Sequence, residues 1–354
     1  METEPAVWSV VELFGKLLVA EIGDAPELPA ARAPVTGPPL PTGNDGAPAG
    51  EDQVAAVRAA VPRLVALDVA SGGDRTSVLA TRALQAAETM LAPGACEPKV
   101  ERDLRAAVAE LAELTGWLLC DANRHAASLA RNHQALRLAR GVGDRSMELF
   151  VIHNLSLQAT YLRRPERSLS LVRPILDQGG LTPRLGAMFH MRTARAYAQM
   201  GLRSMALTEM DTARGLFYEG TGDRDPAWSW WLSERGFDHA TGAMLGGLGD
   251  WKAAIEPIQR AIEAAPGHAR RDRFLYLCVL LHAQIEAGAW HDGAATAERL
   301  VPFIGQVRST RPLARLMATI DNARGTPRSA VLTDTLADAR PSSSTPIQRP
   351  RPPR

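Results

Sequence analysis

The side chains best suited to recognising another molecule are few and scattered. Asn154 offers an amide that donates and accepts at once, which suits a peptide backbone. Arg195 offers a planar fork that can hold a carboxylate through two contacts. Trp228, Trp230 and Trp231 place three indoles within four residues. They cannot share one helical face, so at least one covers the neighbouring loop or turns to an inner surface; packing between units is the other reading. The residue sets that do catalysis or bind metal are not seen. There is no Gly-x-Ser-x-Gly elbow, no His-Glu-x-x-His helix and no glycine-rich loop following a strand. His125 and His133 are eight apart and His282 and His291 nine apart, so neither pair has ligand spacing on one helix. Glu110 and Glu113 read as a solvated helix face. The expectation is a binding protein with no catalytic residues, no metal and no cofactor.

What must position these residues is a set of helical hairpins. In Gly242 to Pro266, GAMLGGLGDWKAAIEPIQRAIEAAP, Gly249-Asp250 reads as a turn between two helices. Gly249 can take the left-handed conformation that ends the first helix, and Asp250 can cap the second. Ala254, Ile258 and Ala261 recur at helical spacing, and Pro266 closes the unit. The same turn position is occupied by Asn123, Arg163, Gly201, Gly249 and Gly288. Five residues later stand Ser128, Ser168, Ala206, Ala254 and Gly293, all small, and seven further Ala135, Ile175, Ala213, Ala261 and Leu300, all apolar. The turn spacings of 40, 38, 48 and 39 exceed the ~34 residues of a regular tetratricopeptide unit, so longer helices and loops are expected. Asp144, Thr182 and Asp272 sit where helix starts are expected.

The ends differ from this body. Residues 1–24 contain an amphipathic helix over Ala6 to Ile22, which would dock on the solenoid or on a partner. Residues 25–50 hold seven prolines and form a linker. The helical body spans 51–324. Its first helix shows Val54, Val57, Val61, Leu64 and Leu67 at helical spacing; Ser71 to Asp74 is a turn capped by Asp74, and a second helix runs from Thr76 to Leu91. A helix opens at Pro226, and one more, from Ser309 to Ala323, caps the body. Residues 325–354 form a basic tail rich in proline and serine, expected to be disordered. The predicted fold is all-α, a right-handed tetratricopeptide-like α-solenoid of six or seven hairpins.

Composition bounds the setting. A net charge of +1 creates no global field toward DNA or a membrane. Three cysteines, Cys96, Cys120 and Cys278, lie far apart without metal spacing, which argues for a reducing compartment and hence the cytoplasm. No apolar run is long enough to span a bilayer.

From Leu104 to about Pro312 the chain resembles the tetratricopeptide sensor region of actinobacterial helix-turn-helix transcriptional regulators. The resemblance rests on AELTGWLLCDANRHAASLARNHQALRLARGVGD, DPAWSWWLSERGFDHATGAMLGGLGDWKAAI and RDRFLYLCVLLHAQIEAGAWHDGAATAERLVPFIGQVRSTRP. It implies a regulatory protein whose concave groove binds a peptide or protein partner. It also implies an N-terminal DNA-binding bundle, for which the first 50 residues are too short, so DNA binding by the isolated chain is expected to be weak or absent. A DNA-binding regulator acting through the N-terminal segment or a partner subunit is one alternative, and an enzyme with an unrecognised site in the groove another; homodimer formation stays open. In such repeats the first helix of each hairpin lines the concave face. Counting back from each turn projects Trp117, Asp121, His153, Leu157, Met191, Arg195, Gln199, His239, His282 and Glu286 into the groove. Asn154 stands where peptide-binding members of the superfamily carry an asparagine that bridges the ligand backbone; the alternative for Asn154 is a local backbone cap, and for Arg195 a solvated side chain.

Overall fold

The computed structural model of the chain describes residues 48–323. The expected N-terminal helix, nearly all of the linker and the basic tail lie outside the described residues. Among the described residues the fold is all-helical, with no strand and a single isolated bridge, Ala49 to Cys96. The helices are α1 (Glu51–Ser71), α2 (Gly73–Thr89), α3 (Glu101–Asp121), α4 (His125–Val142), α5 (Arg145–Tyr161), α6 (Pro165–Gln178) and α7 (Pro183–Gln199). They continue with α8 (Arg203–Tyr218), α9 (Glu234–Gly247), α10 (Trp251–Glu263), α11 (Arg270–Glu286), α12 (Trp290–Leu300) and α13 (Thr310–Ala323).

The turns explain why consecutive helices fold back as pairs. Asn123 and Arg163 have φ of 60° and 56°, and Gly201, Gly249 and Gly288 have 74°, 79° and 75°. Each turn makes the same bond from the next residue to the carbonyl five positions back: Arg124 to Leu119, Arg164 to Ala159, Leu202 to Tyr197, Asp250 to Leu245 and Ala289 to Gln284, at 2.8–3.0 Å. That bond ends the first helix in the left-handed manner and starts the second one residue later. The small residues five positions on, Ser128, Ser168, Ala206, Ala254 and Gly293, are all buried, as are the apolar residues seven further. They let the paired helices approach closely. A Cβ added at Gly242 would stand 2.5 Å from Ile258 and 3.2 Å from the Ala254 carbonyl, and Ser128 Oγ donates to the Gly116 carbonyl at 2.7 Å.

Several local expectations are corrected. The α1–α2 turn narrows to Gly72, and α2 starts at Gly73. Asp74 does not cap α2 but accepts from the Thr310 backbone N–H and hydroxyl, both at 3.0 Å. Asp250 stands at the start of α10, yet its carboxylate pairs with Arg203 at 2.6 Å instead of capping. Asp272 lies inside the first turn of α11, which Ala269 precedes, and pairs with Arg271. Asp144 and Thr182 do cap, accepting from Met147 and Leu185. In place of a helix opening at Pro226, Ala227–Trp231 is a short 3-10 turn, held by Arg184 donating to the Ser229 and Leu232 carbonyls. Residue 67 is only half-buried; Asp68 turns inward in its place.

Beyond the pairs, first helices pack on first helices: α3 on α5, α5 on α7, α7 on α9 and α9 on α11. The row then meets itself, because α1 packs against both α3 and α11, and α13 against α3. A polar clasp seals this junction. Arg308 N–H donates to Ser71 at 2.7 Å, and Asp74 N–H to Arg308 at 3.0 Å. Asp121, fully buried, accepts from Ser309, Arg271 and Arg311.

Candidate functional site

Closing the row turns what would be a groove into a partly open interior pocket of about 270 Å³. Helices α1, α3, α5, α7, α9 and α11 line it, with Trp228 and Trp231 from the 3-10 turn and Arg311 from α13; no second helix of a pair from α3 to α12 contributes. The reason is periodic. Residues nine before each turn, Leu114, Asn154, Arg192, Ala240 and Val279, all face the interior or the smaller chamber beside it.

The larger chamber is aromatic. Trp228 stacks on Phe150 with ring centroids 4.6 Å apart, and its indole N–H donates to Ser146 Oγ at 2.8 Å. Trp231 lies 4.9 Å from the His153 ring, with the Arg192 guanidinium 5.6 Å over its face. One wall carries carboxyls. Glu113 is buried and accepts from the Asn154 amide; burial pushes it up to about 8, the amide opposing and neighbouring Glu110 adding to the shift. Burial likewise raises Glu110 to about 7, against the pull of Arg58. Both acids are therefore protonated to a large extent near neutrality and act as hydrogen-bond donors as well as acceptors. The expected solvated face of Glu110 and Glu113 is thus an interior wall. Asp68 is also raised by burial, outweighing Arg271, and accepts from the Trp117 indole at 3.4 Å.

The opposite wall is basic. Arg192 is 6% exposed, forms no ion pair with any described residue and has an Nε without a partner among them; burial lowers it to about 9. Arg195 lies 4.9 Å over the Tyr161 ring and Arg311 4.4 Å over the same ring. A smaller chamber of about 110 Å³ shares Tyr161, Arg195, His239 and Arg311 with the larger one, and adds Arg163, Arg315, Gln199 and His282. Burial, and then the charge of Arg315, lowers His282 to about 4. His153 and His239 are held well below their ordinary value, first by burial and then by nearby arginines. These imidazoles are neutral in the empty protein.

Of the residues projected from the sequence, the structure brings Trp117, His153, Asn154, Leu157, Met191, Arg195 and His239 onto the larger chamber. Gln199 and His282 line the smaller one, Gln199 donating to the Thr160 carbonyl at 2.9 Å and His282 facing Thr319 Oγ1 at 3.1 Å. Two projections are corrected. Asp121 lies in the clasp behind the wall; burial would raise it, but Arg271 and Arg311 win and hold it well below the carboxylate range. Glu286 is exposed in a shallow surface depression beside Trp251. The register two before the turn does not decide this, since Tyr161 and Gln199 hold it and line the chambers; Asp121 is drawn away by the junction arginines, and Glu286 lies on the last hairpin of the row. The alternative of a backbone cap for Asn154 does not hold either, since its amide reaches Glu113 on the neighbouring helix.

Sequence reasoning missed Glu113, which occupies the ten-before position of the first unit, and Arg192, which shares Asn154's register. Extending both registers to every unit would have found them. Arg271, Arg311 and Arg315 carried no such signal, since their places depend on the junction of the two chain ends. Among the described residues no group of acids, histidines or cysteines is arranged to hold a metal, and no helix is long and apolar enough to cross a membrane. All three cysteines are free. Compared with known protein families and with curated proteins, the chain matches no family and no curated sequence.

Proposed function

We propose that this chain is a non-enzymatic regulatory module, a right-handed tetratricopeptide-like α-solenoid closed on itself, which binds a peptide or a compact ligand in its interior. The observation that carries the reading is the lining of the larger chamber. Its walls come from first helices, the 3-10 turn and one junction arginine, and among the described residues they present a buried Arg192 Nε without a hydrogen-bond partner and a buried His153 whose ring has at most the Asn154 side chain as partner. Buried polar atoms without partners are costly, and an occupant would satisfy them. The resemblance to sensor regions of transcriptional regulators supports a role in transcriptional regulation or signalling. The volume of about 270 Å³ favours a small molecule or a peptide end over a long segment threaded through. The charge of +1 supports weak DNA binding by the chain alone, and the three free cysteines suit a reducing compartment such as the cytoplasm.

The test is to purify the full chain and a Leu157→Trp variant from native lysate, and to identify the peptides and small molecules released on denaturation. Leu157 is 6% exposed and lines the larger chamber, so an indole there occupies the space. Species recovered with the wild type should be missing from the folded variant. Identical recovery from both proteins would count against interior binding.

A further inference from the structure

The smaller chamber carries a charge arrangement that the fold itself does not balance. Arg163, Arg195, Arg311 and Arg315 line it together with His239 and His282, and no carboxylate does. Asp121 answers Arg311 at 2.9 Å, but it also answers Arg271. Arg163, Arg195 and Arg315 form no ion pair with any described residue. Arg195 and Arg311 crowd the two sides of one small space around Tyr161. Burial, and then the like charges of Arg195, Arg311 and Arg163, lower Arg315 to about 10, with Tyr161 opposing. Buried like charges are expensive, and glutamine in their place would remove the charge while keeping a polar, hydrogen-bonding side chain. Arginine's fork is suited to oxyanions, where several can share one tetrahedral group. Gln199 adds a buried acceptor, Oε1, that has no partner while its Nε2 is engaged.

We propose that the smaller chamber seats a phosphoryl group, the head of an organic phosphate whose aromatic or apolar body lies in the larger chamber. This rests on the interior-binding reading and names its ligand class. Two half-buried guanidiniums without an ion pair to any described residue, Arg195 and Arg315, with the exposed Arg163 beside them, call for a group carrying close to two negative charges, which a phosphate monoester supplies and a carboxylate does not. The volume of about 110 Å³ admits one tetrahedral oxyanion. The two chambers adjoin across Tyr161, Arg195, His239, Leu275 and Arg311, so a molecule spanning both would pass between these side chains. Its body would meet Trp231 and Phe150, and Arg192 would stand at its flank.

The test uses the full chain and three probes at constant ionic strength: phenyl phosphate, benzoate and inorganic phosphate, with sodium chloride as control, followed by calorimetry. Phenyl phosphate should bind saturably and at least about tenfold more tightly than benzoate. Arg315→Gln and Arg195→Gln should each weaken phenyl phosphate by about tenfold or more while melting at or above the wild type, and Arg315→Lys should retain binding within a few-fold. Phosphate should also raise the titration midpoint of His282, followed by NMR, by about one unit, because the bound charge cancels Arg315. Equal affinities for phenyl phosphate and benzoate, a response no different from chloride, or undiminished binding by the folded glutamine variants would each overturn the phosphoryl assignment. If benzoate or peptides bind and phosphates do not, the assignment fails and interior binding stands. If nothing binds, and Leu157→Trp recovers the same lysate species as the wild type, both fail.

Discussion

Replacing Glu113 with glutamine should make the protein less sensitive to alkali. Glutamine has the shape of the protonated acid, and its Oε1 can still accept from the Asn154 amide. The folded carboxyl titrates at about 8, against 4.5 for the free side chain. Between these values the unfolded chain gives up a proton that the folded chain keeps, so raising the pH favours unfolding. The penalty is absent below the unfolded value and complete above the folded one. At about 1.36 kcal/mol per unit, a shift of this size corresponds to a ceiling of about 5 kcal/mol. Water entering the cavity and rotation of Asn154 reduce it. Glu110 faces the same space from the preceding turn of α3, with Arg58 and Asp144 acting on it in turn. Its titration is common to both proteins and largely cancels in their difference. The part that does not cancel, its repulsion from ionised Glu113, has the same sign as the main effect. Urea denaturation at about pH 5 and pH 8.5 reads the result. The two proteins should unfold at similar midpoints at the lower pH, and the variant should be more stable at the higher one by at least ~1.5 kcal/mol. A stability difference that does not change with pH would show that Glu113 is ionised throughout, and the description of this wall as neutral acids would be wrong.

Three further outcomes follow from the packing. Ala254→Leu should cost on the order of 1–3 kcal/mol, because residue 254 is fully buried against Gly242 and Ile258; an unchanged denaturation midpoint would count against close helix contact there. Gly249→Ala should cost about 1–2 kcal/mol through backbone strain alone, since φ is +79° and an added Cβ meets nothing within 4 Å; no loss in the melting midpoint would refute this. Asp121→Asn should cost about 3–5 kcal/mol by leaving Arg311 buried without a counter-charge and Arg271 with Asp272 alone. The folded carboxyl of Asp121 lies below its ordinary 3.8, so its contribution is present above that value and fades as pH falls further. Loss of the wild-type advantage over Asp121→Asn in strong acid, measured by circular dichroism, checks the sign.

Much of the local architecture was legible because it repeats. A left-handed turn, a small residue five later and an apolar residue seven further recur in five units, and each is a steric demand that one sequence position must meet. Asn123 and Arg163 show the strength of the register: neither is glycine, yet alignment put them at the turn and both have positive φ. The inward positions were legible for the same reason, as far as the register was followed. The closure was not. Nothing in the spacing of Asp121, Arg271, Ser309 and Arg311 links them, because their encounter depends on curvature summed over the whole row of helices. A small change in the angle between successive hairpins would leave every turn intact and separate the chain ends. The charge pattern of the interior depends on that sum as well. Glu113 reads as a solvated acid on a helix face until the row closes around it, and Arg311 and Arg315 read as surface residues of a terminal helix. Closure is what turns them into buried groups whose protonation and pairing would respond to an occupant if the proposed binding holds. Ligand affinity and the integrity of the Asp121 clasp should therefore be linked: an occupant that satisfies the interior must also oppose opening of the clasp, by the amount of its preference for the closed form.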